Sequence, residues 1–361
     1  MITGMTTWTR RAALAAFASA LCACASPPAA KPPASYDFTE VSRYLDAGYR
    51  SLGLPGAGLV VWQDGRVVHE SYHGAYTPET VVPIASASKW LAASVIMTLV
   101  DEKRIDLDAP VTTYLPGFSG DMARMTVRQM FSHSAGIVDF PGEWNYTITP
   151  AEYAARVARE GVVRAKPGTE VRYASASMQV AGAIAEKVSG QKWNDLFLSR
   201  IARPCGMTAT TFAREPVNTN PLLAGGAFSS MPDYARFLDM IARGGVCNGK
   251  RVLSEAAVRE MQRDQTGALP LTGASDDRMG RASHYGLGEW IDVQAPDGRT
   301  IQVSSPGAFG FRPWLNLDRN LYAVFLMRRD GRTAPSANAD FNPWVLIDKV
   351  HAAADARKPA R

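Results

Sequence analysis

Cysteine is scarce in this chain of 361 residues, and the scarcity limits the classes of protein to which the chain can belong. There are four cysteines, and two of them, Cys22 and Cys24, lie close to the N-terminus. The other two, Cys205 and Cys247, allow at most one bridge in a large chain, which excludes a small disulfide-dense scaffold. We predict that Cys205 and Cys247 are two separate cysteines.

Other common signals are also missing. No Gly-x-Ser-x-Gly nucleophile elbow occurs, and the nearest string, residues 132–136 (SHSAG), begins with serine. We therefore predict a structural role for His133 and not that of the base in a Ser-His-Asp triad. The net charge is +5, and the basic residues are scattered without an aromatic-interleaved patch, so we predict no nucleic-acid partner.

A zinc-protease signature occurs once, in a context that does not suit metal binding. Residues 69–73 (HESYH) match His-Glu-x-x-His, which holds zinc when the two imidazoles lie one helical turn apart. Here the string follows an Asp-Gly turn and two valines, which predicts a strand. On a strand, His69 and His73 share a face but lie roughly 13 Å apart, too far for one ion. We predict no metal and no organic cofactor.

The N-terminus has the features of an export signal. A pair of arginines precedes an apolar stretch at residues 12–21, which is too short to span a bilayer as a helix. Leu-Cys-Ala-Cys then resembles a bacterial lipobox that ends at Cys24, although ordinary cleavage at a neighbouring alanine is the alternative. We predict a signal peptide at 1–24, a Pro/Ala-rich tether at 25–37, and an exported, periplasmic protein that Cys24 anchors to a membrane.

The most informative motif present is Ser86-Ala87-Ser88-Lys89. Positions i and i+3 of a helix face the same way, so a lysine there lies beside the serine hydroxyl and can activate it without histidine. The alternative is a plain helix N-terminus, with Ser86 as its capping residue. The motif alone leaves both interpretations open.

The surroundings of this motif resemble the serine β-lactamase and penicillin-binding-protein superfamily, in particular its class C β-lactamase-related branch, which includes family VIII esterases. The likeness extends over most of the chain and rests on stretches that occur in the expected order. They are 58–68 (GLVVWQDGRVV), 83–89 (PIASASK), 127–136 (VRQMFSHSAG), 166–173 (KPGTEVRY), 225–230 (GGAFSS) and 285–290 (YGLGEW).

The resemblance implies an α/β fold of the α+β type. Its antiparallel sheet is flanked by terminal helices, and a large α-helical region is inserted, with the site between the two lobes. Strand patterns near both ends of the chain and helical patterns in its middle agree with this layout. We predict a hydrolase domain at 38–355, with a sheet lobe at 38–85 and 284–355, a helical lobe at 86–283, and a basic tail at 356–361.

The resemblance also implies catalytic roles for particular residues. Ser86 attacks a carbonyl carbon, and Lys89, Tyr173 or both take its proton. The backbone N–H groups of Ser86 and Ala308 hold the oxyanion, and water then releases the acyl group. Which residue is the base stays open at this stage.

Two motifs depart from the family pattern. Residues 305–307 (SPG) stand where the family has Lys-Thr-Gly or His-Thr-Gly on a sheet-edge strand, and Ser305 supplies no cation for a substrate carboxylate. Gly307 leaves room for a substrate, and Arg312 is a candidate replacement for the lost cation. Ser175 stands where asparagine is usual. We predict that Ser175, Ser305, Gly307 and Arg312 contact substrate.

These observations favour an exported serine hydrolase that cleaves a small ester or amide through a Ser86 acyl-enzyme. One alternative is a β-lactamase or D-Ala-D-Ala carboxypeptidase. Another, from a different class, is a non-catalytic lipoprotein that binds cell-wall fragments, since two of the three motifs are altered. The predicted partner is a small ester, amide or peptide, and the oligomeric state stays open.

Overall fold

Strands from both ends of the chain build the central sheet. This computed structural model describes residues 35–139, 147–213, 219–272, 284–328 and 341–357. Its strands are β1 (Gly56–Gln63), β2 (Arg66–Gly74), β3 (Val82–Pro83), β4 (Val171–Arg172), β5 (Phe228–Ser229), β6 (Val246–Cys247), β7 (Lys250–Arg251), β8 (Leu271–Thr272), β9 (His284–Tyr285), β10 (Trp290–Gln294), β11 (Thr300–Ser304), β12 (Phe311–Asn316) and β13 (Leu321–Leu326).

The main sheet has seven strands in the order β2-β1-β13-β12-β11-β10-β9, and every neighbouring pair is antiparallel. The turn between β1 and β2 explains why the first two strands pair. Asp64 and Gly65 both have positive φ, 52° and 75°, as a tight hairpin turn requires. The predicted antiparallel sheet is therefore confirmed.

Helices cover both faces of this sheet. They are α1 (Thr39–Ser51), α2 (Ser88–Asp101), α3 (Val127–Phe131), α4 (Pro150–Glu160), α5 (Ala176–Ser189), α6 (Trp193–Phe197), α7 (Met231–Ala242), α8 (Glu255–Gln262) and α9 (Pro343–Asp355). The terminal helices α1 and α9 share one core cluster with Trp314 and Phe325 of the sheet. The inserted helices share a larger cluster with Phe311 and Val324 on the opposite face. This is the predicted arrangement.

Strand β12, in the middle of the sheet, was not predicted, because Pro313 interrupts its pattern. Proline lacks the N–H that a central strand needs. In an antiparallel ladder the N–H and C=O of one residue point toward the same neighbour, and the Pro313 carbonyl accepts from the Ser305 N–H at 3.3 Å. The nitrogen of Pro313 therefore faces the place where β11 has just ended, at Ser304. The lack of an N–H there costs the ladder little.

The prediction of two separate cysteines is wrong. Cys205 and Cys247 form a disulfide, with Cα atoms 5.1 Å apart. Cys205 follows a π-helical turn (Leu198–Ala202) that continues α6, and Cys247 ends β6. Both side chains are buried. The two cysteines are 42 residues apart in the sequence, which gave no sign of this pairing.

The zinc-protease string lies on β2, as its context predicted. The imidazoles of His69 and His73 make different contacts with α1. His69 lies within hydrogen-bond distance of Ser42, and the Nδ1 atom of His73 lies 3.3 Å from an oxygen of Asp46. Across the described ranges, no group of three or more His, Cys, Asp or Glu side chains is arranged to hold a metal ion.

Several predictions concern residues outside the described ranges. They are the signal peptide at 1–24 with Cys24, the tether up to residue 34, and the tail from residue 358 onward. Residues 36–357 form one compact unit. None of the helices in the described ranges is both long and apolar enough to cross a membrane.

Candidate active site

The segment that carries Ser86 is strained and firmly held. It leaves β3, forms a 3-10 turn (Ala85–Ala87) and enters α2. Ala85 has φ +46°, a left-handed conformation that a residue with a Cβ adopts only when its surroundings impose it. The surroundings here are the Ala227 N–H, which donates to Ser88 Oγ at 3.0 Å, and the Tyr234 hydroxyl, which donates to the Ala87 carbonyl at 2.7 Å.

Ser86 is not a helix cap. The residue at the N-cap of α2 is Ala87, and no side chain there accepts a hydrogen bond from the first turn. The Ser86 side chain is partly exposed and faces Lys89. The structure therefore removes the simpler interpretation of the motif and leaves the serine hydroxyl available for chemistry.

Lys89 is buried beside this hydroxyl, with 2 % of its surface exposed. Its Nζ atom lies 3.2 Å from Ser86 Oγ and donates to the Ala224 carbonyl at 2.7 Å. The carbonyl thus orients the amine toward the serine. Lys89 is thus within reach for proton exchange with the serine hydroxyl.

Tyr173 lies on the other side of Lys89 and presents its ring face to the amine. Lys89 Nζ is 4.6 Å from the ring centroid. The ring also stacks on Trp290, with centroids 5.5 Å apart and an angle of 16° between the planes. Its centroid lies 4.2 Å from that of the His133 ring. In the described part of the chain, the Tyr173 hydroxyl makes no hydrogen bond.

His133 holds the backbone next to Tyr173. Its Nδ1 accepts from the Ala174 N–H at 3.2 Å, and its φ of +58° marks a tight turn of the backbone. Burial, together with the nearby Lys89, lowers the pKa of His133 well below its ordinary value. The imidazole is therefore neutral at neutral pH, in keeping with the predicted structural role.

The altered third motif contacts the nucleophile segment directly. Ser305 Oγ donates to the carbonyls of Ser86 and Gly288, at 3.2 and 3.3 Å. A Cβ added to Gly307 would lie 2.1 Å from the Ile84 carbonyl oxygen, so only glycine fits there. Ala308 is exposed, and its N–H donates to no backbone carbonyl of the described residues. The motif follows β11, an inner strand, so the predicted sheet-edge position is wrong.

The structure does not bring Arg312 to this cluster. In the register of β12 and β13, Arg312 lies opposite Phe325, on the face of the sheet that the terminal helices cover. Its guanidinium carbon lies 4.9 Å from the ring centroid of Trp344 in α9. Arg312 is therefore badly placed to replace the lost carboxylate-binding cation, because the nucleophile lies beyond the opposite face.

Ser175 lies at the N-terminus of α5, two residues after Tyr173, and its side chain is partly exposed. Its backbone N–H donates to Asp139 Oδ1, and the Ala176 N–H donates to the same oxygen at 3.3 Å. Ser175 thus lies beside the cluster, and Asp139 caps the helix that carries it.

Sequence reasoning missed several contributors to the site. Asp139, Trp290 and the Ala224 carbonyl all act on predicted residues across long separations in the chain. The stretch 225–230 marked the neighbourhood of Ala224 without indicating a role for its carbonyl. Glu289 is a further case: it is fully buried, and burial, with Asp292 nearby, raises the pKa of its carboxyl well above the ordinary value.

Comparison with known proteins identifies the family of this chain. Residues 41–343 match the family model described as Beta-lactamase. The chain belongs to the beta-lactamase family. Members of this family are serine hydrolases, so this chain is a serine hydrolase with the β-lactamase and transpeptidase-like fold.

Individual relatives within the family have different activities. The crystal structure of a presumed beta-lactamase from Bacteroides dorei DSM 17855 is 32% identical, with a TM-score of 0.78, and the match covers 89% of this chain and 100% of that one. The D-alanyl-D-alanine-carboxypeptidase/endopeptidase AmpH of Escherichia coli (strain K12) is 24% identical, over 88% of this chain and 91% of that protein. A family VIII carboxylesterase, 19% identical with a TM-score of 0.70, shares the fold over 88% of this chain and 97% of that one.

Proposed function

We propose that this serine hydrolase cleaves a small ester or amide through an acyl-enzyme on Ser86. The observation that carries the proposal is the contact of 3.2 Å between Lys89 Nζ and Ser86 Oγ, with the amine held by the Ala224 carbonyl. The nucleophile and its candidate base are thus aligned before any substrate binds, which is what covalent catalysis by serine requires.

The reaction follows from this geometry. Lys89 takes the proton of Ser86 as the hydroxyl oxygen attacks the substrate carbonyl, and the N–H groups of Ser86 and Ala308 receive the oxyanion. The protonated amine then returns its proton to the leaving alcohol or amine. Water enters, Lys89 takes its proton, and the second tetrahedral intermediate collapses. The Ser86 oxygen leaves with the proton returned by Lys89, which frees the acid and restores the enzyme. Tyr173 orients the amine through its ring face.

The third motif supports an ester or a neutral amide as the substrate. Binding of a substrate carboxylate needs a cation, and neither Ser305 nor Pro306 supplies one, while Arg312 packs against Trp344. The second candidate function is a β-lactamase or D-Ala-D-Ala carboxypeptidase, which the relation to AmpH favours. The two candidates differ in whether the substrate carries a carboxylate.

Hydrolysis of short-chain p-nitrophenyl esters by the parent protein and by Ser86→Ala tests the leading proposal. We expect turnover by the parent and none above background by the variant. Equal rates in both proteins would reject the proposal. Stable labelling of Ser86 by a fluorescent penicillin, without ester turnover, would favour the second candidate.

We also propose that the protein is exported and that Cys24 carries a lipid anchor, on the strength of the lipobox-like string at residues 21–24. The test is expression of the full chain in a Gram-negative host. We expect the parent in the membrane fraction, with a lipid-modified N-terminal peptide that begins at Cys24, and a soluble Cys24→Ala variant. An unmodified N-terminus at a neighbouring alanine would contradict lipidation and leave export intact.

A further inference from the structure

Glu289 is a buried acid that the proposed reaction does not use. Its side chain is fully buried, and neither carboxyl oxygen has a hydrogen-bond partner among the described residues. A carboxylate that is buried without partners is strongly disfavoured, so such a group either keeps a proton or takes a partner when it ionises. The two protonation states of Glu289 therefore make different demands on the groups around it.

The turn that carries Glu289 packs against the helix of the nucleophile. The Gly286 N–H donates to the Glu289 carbonyl at 2.9 Å, and the Gly288 N–H donates to the Phe131 carbonyl at 3.0 Å. A Cβ added to Gly288 would lie 2.5 Å from the Lys89 carbonyl oxygen, so the turn approaches the backbone of α2 closely. Glu289 is thus fixed in the core, one residue from this contact.

The titratable groups of other elements that interact with Glu289 are Tyr234 of α7, Tyr285 of β9 and Asp292 of β10. Burial raises the pKa of Glu289 well above its ordinary value, and the charge of Asp292 adds to this effect. Burial also raises the pKa of both tyrosines, so their hydroxyls stay protonated and can donate. No described cation pairs with Glu289, and the Lys89 amine of α2 is held at the nucleophile.

Tyr234 connects this acid to the nucleophile. Its hydroxyl donates to the Ala87 carbonyl at 2.7 Å and so helps to hold the strained turn in which Ala85 has φ +46°. A hydrogen bond to a charged acceptor is roughly twice as strong as one between neutral groups. An ionised Glu289 therefore competes with the Ala87 carbonyl for the Tyr234 hydroxyl, whereas the neutral acid does so only weakly.

We propose that Glu289 is a positioning residue that must be protonated for catalysis: the neutral acid leaves the Tyr234 hydroxyl on the Ala87 carbonyl, and the ionised acid draws it away. The inference rests on the proposed hydrolysis through Ser86. Without this hydrogen bond the turn relaxes, and Ser86 Oγ moves away from the Lys89 amine, now at 3.2 Å. Misplacement of a reacting group by about 1 Å lowers turnover by up to about 10²-fold.

The test is the pH profile of kcat for p-nitrophenyl ester hydrolysis between about pH 6 and about pH 10, with background hydrolysis subtracted and circular dichroism showing a folded protein at each pH. In the parent, we expect kcat at about pH 10 to lie at least about tenfold below its maximum, because Glu289 ionises on the alkaline side. Glu289→Gln cannot ionise, so its kcat at about pH 10 should stay within about twofold of its maximum.

Tyr234→Phe separates positioning from a general loosening of the core. This variant lacks the hydroxyl through which Glu289 acts, so its kcat should be low at every pH, near the level that the parent reaches at about pH 10, and should show no alkaline fall. The matched control is Tyr322→Phe, which removes a hydroxyl that donates to Asp239, also on α7. This control should keep the alkaline fall of the parent.

Asp292→Asn tests the direction of the effect. The charge of Asp292 opposes ionisation of Glu289, so its removal lowers the pKa of Glu289. The alkaline fall of kcat should therefore move to lower pH in this variant. A fall that stays in place or moves to higher pH would show that another group causes it.

The inference is overturned if Glu289→Gln or Tyr234→Phe keeps the alkaline fall of the parent, or if the folded parent shows none. Each of these results leaves ester hydrolysis, and with it the proposed function, intact. Absence of both ester turnover and fluorophosphonate labelling of Ser86 in the folded parent at about pH 7 rejects the proposed function, and the inference with it.

Discussion

The nucleophile segment and the third-motif segment lie against each other, yet they differ in how closely each follows the family pattern. The segment at residues 83–89 keeps the serine and the lysine, and each is fixed by contacts from distant parts of the chain. The segment at residues 305–307 keeps only the glycine, which is held against the Ile84 carbonyl. The family cation and threonine are replaced by Ser305 and Pro306.

This difference separates the part of the site that activates a serine from the part that recognises a substrate carboxylate. Ser305 donates to the backbone of the nucleophile segment, so its hydroxyl supports the scaffold. Gly307 is retained for a steric reason that does not depend on the substrate. Under the proposed function, acyl transfer through Ser86 does not depend on the third motif, whereas the choice of substrate does.

The largest expected effect concerns the nucleophile. Ser86→Ala should lower kcat for ester hydrolysis by about 10⁴-fold or more, because among the described residues Lys89 Nζ makes a hydrogen bond to no other hydroxyl. Steady-state kinetics with a p-nitrophenyl ester measure this loss. A residual rate within tenfold of the parent would show that the segment at residues 83–89 does not carry the nucleophile.

Lys89 and Tyr173 should differ in their importance. Lys89→Met removes the only group within hydrogen-bond reach of Ser86 Oγ in the described residues and should lower kcat by about 10³-fold or more. Tyr173→Phe keeps the ring on Trp290 and should cost less than about 10²-fold. If the tyrosine variant loses as much as the lysine variant, the proton passes through the Tyr173 hydroxyl and our assignment of the base is wrong.

The disulfide lies outside both segments and tests whether stability and activity are separable. Replacing Cys205 and Cys247 together with alanine should lower the free energy of unfolding by about 2–4 kcal/mol, because the unfolded chain gains freedom. Urea unfolding measures the change. The kcat of the folded variant should match that of the parent, and a large drop in kcat would mean that the bridge also shapes the site.

Glu289 follows Gly288, whose carbonyl accepts from Ser305, and its buried carboxyl should make the free energy of unfolding depend on pH. Its pKa is raised in the folded protein, so the folded state binds one more proton than the unfolded state above the ordinary glutamate pKa. Stability is therefore lost as pH rises. We compare the free energy of unfolding of Glu289→Gln with that of the parent. This difference should shift in favour of the variant by at least about 1 kcal/mol between about pH 5 and about pH 8. The same stability difference between variant and parent at both pH values would contradict this.

The smallest effect concerns the altered motif itself. Ser305→Ala loses two hydrogen bonds to backbone carbonyls and should lower kcat only a few-fold, through a small shift of Ser86. The matched control is Ser304→Ala, whose hydroxyl donates to Asp292 at 2.8 Å. This control should lower stability without lowering kcat. A loss above about 10²-fold in Ser305→Ala would mean that Ser305 contacts the reacting groups.

Local signals predicted most of the fold. Helix α4 begins at Pro150 because Thr149 and Glu152 form a reciprocal capping box, which the sequence displays openly. Strands β1 and β2 followed from the Asp64-Gly65 turn. Strand β12 did not follow, because Pro313 is tolerated only through the register with Ser305, and a register is a property of the assembled sheet.

The sequence likewise predicted some residues of the candidate site and missed others. Ser86, Lys89 and Tyr173 were found because their motifs are short and ordered along the chain. The Cys205–Cys247 bridge, Asp139 and the Ala224 carbonyl were missed, because each acts on a residue that is distant in sequence. Arg312 shows the opposite error: its position in the chain suggested the site, but the alternation of the strand turns its side chain to the other face.

The most direct test of the central claim is the intact mass of the purified protein after exposure to a fluorophosphonate, with peptide mapping of any adduct, in the parent and in Lys89→Met. We predict one adduct, on Ser86, in the parent and a rate of labelling at least about 10²-fold lower in the variant. An unmodified but folded parent, or an adduct on another residue, would contradict it.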